Sequence, residues 1–220
     1  DWFVLSKDFN ELLFKPWTII TYAFIHASLW HILMNMLILY YFSQYFLNYF
    51  SEKRLLNYYF LGIICGGLLY MISYNIFPVL QGPGRDILMG ASAGVMAVVV
   101  GIATHIPHMR MHMRLLGSIK FWWIAAFLVA MDVVMLTVSN TGGHIAHLGG
   151  AALGYVYTTQ LAKGKDIGKG FERLADWIAS LFSSKPKVKK SPLKTVHKSK
   201  SKAKSATRTQ QKDKQQKKVD

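Results

Sequence analysis

Five long apolar stretches in the first 162 residues place the strongest constraint on how this 220-residue chain can fold. Each stretch is close to the ~20 residues that a helix needs to cross a hydrocarbon core ~30 Å thick. Five of them in succession, joined by short polar links, favour an all-α membrane bundle over a soluble protein. They cover approximately residues 28–50, 55–77, 87–104, 119–138 and 144–162.

The basic residues are concentrated towards the end of the chain. Of the 26 Lys and Arg residues, 18 lie at or after Lys163, and the formal net charge is +15. The remaining basic residues lie mostly in the links near residues 52 and 112. By the positive-inside rule, these links and the tail face the cytoplasm, and the links at 78–87 and 138–143 face outward.

The charge and hydropathy pattern divides the chain into four parts. Residues 1–16 are expected to end an outward-facing loop, and residues 17–162 form the membrane domain. Residues 163–184 have apolar side chains at helical spacing, which is typical of an amphipathic helix lying on the membrane surface. Residues 185–220 are too polar to bury a core and predict a disordered basic tail. We expect this tail to bind anionic lipid headgroups rather than nucleic acid.

A few polar side chains lie inside the apolar stretches, where they cost free energy and therefore indicate function. In the deduced topology all of them fall at one depth, just below the outward surface. They are His31, Asn35, Ser92, Asp132, His144 and His147.

Ser92 and His147 have the chemistry of a nucleophile and its base. Ser92 lies among small residues in the string GASAG, at the point where an outward link enters a helix. The start of a helix offers free backbone N–H groups that stabilise a developing oxyanion. His147 is followed by the pair Gly150 and Gly154, which lets its helix pack closely against another. No carboxylate is spaced to complete a triad, so the sequence predicts a Ser–His dyad.

His31 and Asn35 are four residues apart and share one helix face. They are predicted to stabilise the oxyanion, although a polar contact between helices would explain the same pair. His26, Asp132 and His144 are predicted to support the site structurally.

Together these motifs resemble the rhomboid proteases of bacterial type, in the patterns His31-x-x-x-Asn35, Gly90-x-Ser92 and Ala146-His147-x-x-Gly150. The resemblance covers residues 16–162. It implies an intramembrane serine endopeptidase with Ser92 as nucleophile and His147 as base. It also implies that helices pack closely at Gly90, Gly150 and Gly154 beside the site. The implied substrates are single-pass membrane proteins, and the implied location is a bacterial inner membrane. The implied reaction needs no cofactor and no metal.

The chain departs from the family pattern in three ways. Ala93 follows the serine where glycine is frequent, and Met96 replaces a frequent aromatic residue. Only five of the six family spans are visible, so we expect the first span upstream of residue 1.

Two other readings remain open. A catalytically inactive relative would bind and escort membrane proteins. A metal site or transporter would use His26, His31, His144 and His147, but the sequence lacks the His-Glu-x-x-His motif of an intramembrane metalloprotease.

Overall fold

The computed structural model describes residues 2–80, 87–113 and 117–182. The expectations for residues 81–86 of one outward link, for residues 114–116 of the link near residue 112 and for the tail from residue 183 onwards lie outside these ranges. Helices occupy all five apolar stretches. They are α3 (Leu29–Leu47), α4 (Glu52–Ile76), α5 (Ser92–His105), α6 (Phe121–Met135) and α7 (Thr141–Ala162), and a further helix, α8 (Lys169–Phe182), follows them.

The segment before α3 is more ordered than the expected loop. It contains a short strand, β1, two short helices, α1 and α2, and a turn of 3₁₀ helix. Asp8 caps α1 by accepting a hydrogen bond from the Asn10 amide, as a short acidic side chain does at a helix start. The axis bends by 97° between the 18–24 segment and α3. The elements are β1 (Leu5–Ser6), α1 (Phe9–Phe14), α2 (Thr18–Thr21) and the 3₁₀ turn (Tyr22–Phe24).

Helix α5 lies at the centre of the bundle, and α4 and α7 pack closely against it. Its run of valine, alanine and glycine is buried from Ala93 to Ala103. Tyr58 on α4 stacks on Tyr157 on α7, with ring centroids 4.2 Å apart. Helices α4 and α7 therefore contact each other as well as the central helix α5.

Two short antiparallel ladders shorten the predicted apolar stretches. Strand β2 (Ile87–Leu88) pairs antiparallel with β1, so α5 begins at Ser92 rather than at residue 87. Strands β3 (Arg110–Met113) and β4 (Gly117–Lys120) pair with Arg110 opposite Lys120, so α6 begins at Phe121 rather than at residue 119. Backbone groups that would have been helical at these ends are therefore paired in strands.

Helix α8 is connected to the start of α4 by ion pairs. Arg54 Nη2 lies 3.0 Å from Asp166 Oδ2, in the link before α8, and Lys53 Nζ lies 3.0 Å from Asp176 Oδ1. Leu174 and Trp177 on α8 are exposed. An amphipathic helix with exposed large apolar side chains has the character expected of a membrane-surface helix.

One described helix, α4, is by itself long and apolar enough to cross a membrane. The bent pair formed by residues 18–24 and α3 passes the same test when taken together, and α5 and α6 are shorter apolar helices. The exact span boundaries therefore remain a prediction.

Candidate active site

Ser92 is the first residue of α5, immediately after a sharp turn in the backbone. Gly90 has φ +120°, a conformation that an L side chain rarely adopts. A Cβ at Gly90 would also lie 2.7 Å from Cε1 of His31. Glycine is thus required at this position for two reasons, the backbone conformation of the turn and the close approach of the His31 ring.

His147, in the second turn of α7, reaches Ser92 across the interface with α5. Its Nε2 atom lies 2.6 Å from Oγ of Ser92, which is a short hydrogen bond. Glycines allow this approach, because a Cβ at Gly150 would collide with the carbonyl oxygen of Ala93 and one at Gly154 with that of Ala97. The two helices are therefore in backbone contact directly below the Ser–His pair.

Asp132, near the end of α6, completes a row of three side chains. Its Oδ1 atom lies 2.7 Å from Nδ1 of His147, and the Asp132 side chain is only 8% exposed. The prediction that no carboxylate reaches the pair is therefore wrong. An ionised carboxylate only accepts hydrogen bonds, so it fixes the proton of His147 on Nδ1 and leaves Nε2 free to accept the serine proton.

The same carboxylate oxygen also accepts a hydrogen bond from His144. The distance from His144 Nδ1 to Asp132 Oδ1 is again 2.7 Å. His144 and His147 are three residues apart on α7, so both rings project towards α6. His144 thus contacts the same carboxylate oxygen as His147, and its supporting role stays a prediction.

His31 and Asn35 lie on one face of α3, at the edge of the site. The ring of His31 packs over Gly90, two residues before Ser92. Asn35 is buried, and its Nδ2 donates a hydrogen bond of 2.9 Å to the carbonyl oxygen of His31. An amide nitrogen carries two N–H donors, so Asn35 retains a second one for another acceptor.

His26 supports the turn that leads into α5. Its Nε2 atom accepts a hydrogen bond of 3.4 Å from the Ala91 amide, and its ring meets that of His31 edge to face with centroids 5.0 Å apart. The two imidazoles and the glycine turn therefore form one packed unit beside Ser92.

A cavity of about 430 Å³ opens next to this unit. It is bounded by the His31 ring, by the segment before Ser92 and by the start of α7. Its lining residues are Ala27, His31, Tyr74, Ile87, Leu88, Met89, Asn140, Thr141 and Gly142. Met89, on the wall of this cavity, lies three residues before Ser92.

The fold and the site define an all-α protein in which helices bring a serine hydroxyl to an imidazole held by a carboxylate. The chain belongs to the rhomboid family, whose domain model, described as "Rhomboid domain", matches residues 13–164.

Several curated proteins are similar to this chain. RHOMBOID-like protein 12, mitochondrial, of Arabidopsis thaliana is 30% identical over 74% of this chain and 51% of its own length. Presenilin-associated rhomboid-like protein, mitochondrial, of Homo sapiens is 29% identical over 70% of this chain and 40% of its own length. Rhomboid-like protease 3 of Toxoplasma gondii is 25% identical over 77% of this chain and 58% of its own length.

The chain spans about half the length, or less, of the first two of these relatives. All three are eukaryotic proteins, and two carry mitochondrial names. The expected bacterial type and bacterial inner membrane therefore find no support among them, whereas membership of a membrane-protein family is established.

Proposed function

We propose that this protein is an intramembrane serine endopeptidase that cleaves the transmembrane segments of single-pass membrane proteins. The observation that carries the proposal is the 2.6 Å contact between His147 Nε2 and Ser92 Oγ. A serine hydroxyl is a weak nucleophile until a base removes its proton, and this geometry supplies the base.

The proposed reaction begins when Ser92 Oγ attacks the substrate carbonyl and His147 Nε2 takes the hydroxyl proton. The imidazole then carries a positive charge, which the carboxylate of Asp132 stabilises at Nδ1. His147 next donates the proton to the leaving amine, and an acyl-enzyme on Ser92 remains. Water, activated by the same imidazole, releases the acyl group and restores the serine.

Three donors near Ser92 are proposed to stabilise the oxyanion. The amide of Ser92 lies at the start of α5, where helical N–H groups lack an intrahelical acceptor and the helix dipole favours negative charge. Asn35 adds its second N–H, and His31, packed over Gly90, adds a ring N–H. All three belong to segments that meet at the turn before Ser92.

The substrate class is supported by the surroundings of the site. The chain is a member of a membrane-protein family, and a cavity beside the segment that leads into Ser92 could admit a short unwound peptide segment. A substrate helix must unwind locally to present its backbone carbonyl, because helical carbonyls are already hydrogen-bonded.

The remaining partners are lipids. Helix α8, with Leu174 and Trp177 exposed, is proposed to lie in the membrane interface on the face that carries the basic residues. The basic tail is proposed to add attraction to anionic headgroups. The active site would then open on the opposite face.

A fluorophosphonate probe on the full chain in nanodiscs tests the proposal, together with cleavage of a co-reconstituted single-pass substrate. We expect labelling and cleavage by the wild type, and loss of both in Ser92→Ala. His147→Ala should abolish cleavage. Ser118→Ala is the matched control, because Ser118 is exposed in β4, at the end of α6 away from Asp132. Folded protein that neither reacts with the probe nor cleaves would identify it as an inactive relative.

A further inference from the structure

His147 of the Ser–His pair and two neighbouring side chains, Asp132 and His144, have the chemistry of metal ligands. Asp132 Oδ1 lies 2.7 Å from the Nδ1 atoms of both His144 and His147, and suitable ligand atoms of the three residues all lie within 4.8 Å of one another. The side chains are 8%, 17% and 22% exposed, respectively. They are enclosed by protein yet accessible to a small ion.

The two helices that carry these ligands are held in a fixed relation. A tight turn joins α6 to α7, in which Asn140 has φ 49° and the Thr141 hydroxyl donates a hydrogen bond of 2.7 Å to the Leu136 carbonyl. His144 and His147 project from one face of α7 towards Asp132 on α6. The carboxylate and the imidazoles therefore converge without any movement of the backbone.

We propose that Asp132, His144 and His147 form an inhibitory binding site for a divalent transition metal ion, with Zn²⁺ as the best match. Two imidazole nitrogens and one carboxylate oxygen are ligands that Zn²⁺ takes at ~2.0–2.2 Å, and water commonly fills the fourth position. In a tetrahedral site these atoms would stand ~3.3 Å apart, so the two 2.7 Å contacts would open and the two imidazole nitrogens, which lie within 4.8 Å of each other, would take the same spacing. Ca²⁺ and Mg²⁺ prefer all-oxygen sites and fit less well.

The inhibition follows from the position of one proton, and this part of the inference rests on the proposed function. A metal ion on Nδ1 of His147 takes the place of the Nδ1 proton, and a neutral ring then carries its proton on Nε2. The proton count of the ring is unchanged, but Nε2 has become a donor. It can no longer accept the proton of Ser92, from which it lies 2.6 Å away. The ion also takes Asp132 away from the imidazole that it orients.

Metal binding can be measured without any substrate. The full chain in nanodiscs is stripped with a chelator and titrated with Co²⁺, whose visible d–d bands report a four- or five-coordinate site, and Zn²⁺ is then added in competition. We expect saturable bands in the wild type and in Ser92→Ala. His144→Gln removes a direct ligand. It should therefore weaken metal binding by at least ~10–100-fold, which is the usual cost of losing a residue that only hydrogen-bonds to a ligand. His112→Gln, which changes an exposed histidine in β3, is the matched control and should bind as the wild type does.

Activity provides the second measurement. Zn²⁺ should inhibit substrate cleavage reversibly, and a chelator should restore cleavage. In His144→Gln the metal dissociation constant and the Zn²⁺ inhibition constant should rise together, with inhibition measured against the metal-free cleavage rate of that variant. Asp132→Asn, which keeps the shape of the side chain, gives a second variant for the binding assay and should also weaken Co²⁺ binding.

Two results would overturn the inference. One is the absence of Co²⁺ binding by the wild type, and the other is binding that neither His144→Gln nor Asp132→Asn weakens. If the metal binds as expected but the serine probe never reacts, the proposed protease activity fails while the metal site stands. If Zn²⁺ inhibits an active enzyme through sites that these variants do not affect, the metal site fails while the protease stands.

Discussion

The Oδ1 atom of Asp132 lies 2.7 Å from Nδ1 of His147, although the two residues are on different helices. This contact turns the predicted dyad into a row of carboxylate, imidazole and hydroxyl. In the proposed reaction the carboxylate is a positioning group, because it touches His147, the proposed base, and not Ser92. Its effect should therefore appear in the rate of the chemical step.

Asp132→Asn is expected to lower kcat for cleavage of a reconstituted substrate by about 10²–10⁴-fold. The upper figure is the loss measured for the equivalent change in a soluble serine protease triad. An amide can present an N–H to Nδ1 and so favour the wrong tautomer of His147. KM should remain close to the wild-type value, whereas Asp132→Glu should recover part of kcat. A variant with unchanged kcat would show that the carboxylate only packs α6 against α7.

Asn35→Ala is expected to reduce kcat by up to ~10²–10³-fold, the usual cost of losing one oxyanion donor. Asn48→Ala is the control, because Asn48 is exposed at the other end of the same helix. Pre-steady-state acylation rates measure the effect directly. Equal acylation rates in the two variants would assign Asn35 to helix packing alone, through its bond to the His31 carbonyl.

Gly150→Ala is expected to destabilise the fold, because its methyl group would meet the backbone carbonyl of Ala93 rather than a movable side chain. Overpacking of this kind costs about 1–3 kcal/mol. Thermal unfolding in detergent measures the change. Gly170→Ala is the matched control, since a Cβ at Gly170 in α8 meets nothing within 4 Å. It should be neutral or slightly stabilising, because alanine is the better helix former.

Asp166 is expected to make the attachment of α8 sensitive to acid. Burial would raise the pKa of Asp166, but hydrogen bonds from Tyr157, Arg54 and the Gly168 amide outweigh it and hold this pKa below its ordinary value. A carboxyl with a lowered pKa in the folded state stabilises the fold above its unfolded pKa of ~3.9. That contribution is lost as the pH falls through the folded pKa.

Thermal unfolding of the wild type and of Asp166→Asn from about pH 7 to about pH 3 checks this expectation. The wild type should be more stable at neutral pH, and the difference should shrink as the solution is acidified. Asp176→Asn is the control, because the Lys53–Asp176 pair is 65% exposed on both sides and solvent screens it. A constant difference between wild type and Asp166→Asn across the range would contradict the assignment.

The sequence predicted the helical bundle because runs of apolar residues near 20 in length have few alternatives to helix in a membrane. It also indicated Ser92 and His147 as site residues, because the small residues around each of them predict close contact between helices. Whether these two residues perform catalysis stays a prediction for the probe experiment. The structure adds the distance between them, which no spacing along the chain specifies.

The sequence predicts a structural supporting role for Asp132, but it does not predict the specific contact with His147, which lies 15 positions away. Their contact depends on how α6 is rotated about its axis and on the turn at Asn140, neither of which periodicity determines. The strands at 5–6 and 87–88 were missed for a similar reason. A ladder of two residues on each side has no alternation to detect, and its partners are far apart in the chain.

The β1–β2 ladder connects the segment that contains β1 directly to the residues before Ser92, the proposed nucleophile. Leu5 is paired with Leu88, and only Met89, Gly90 and Ala91 separate that residue from Ser92. Backbone hydrogen bonds therefore join the segment that contains β1 to the strand that leads into the glycine turn before Ser92. A partner that displaces β1 should therefore also displace the Ser92 hydroxyl.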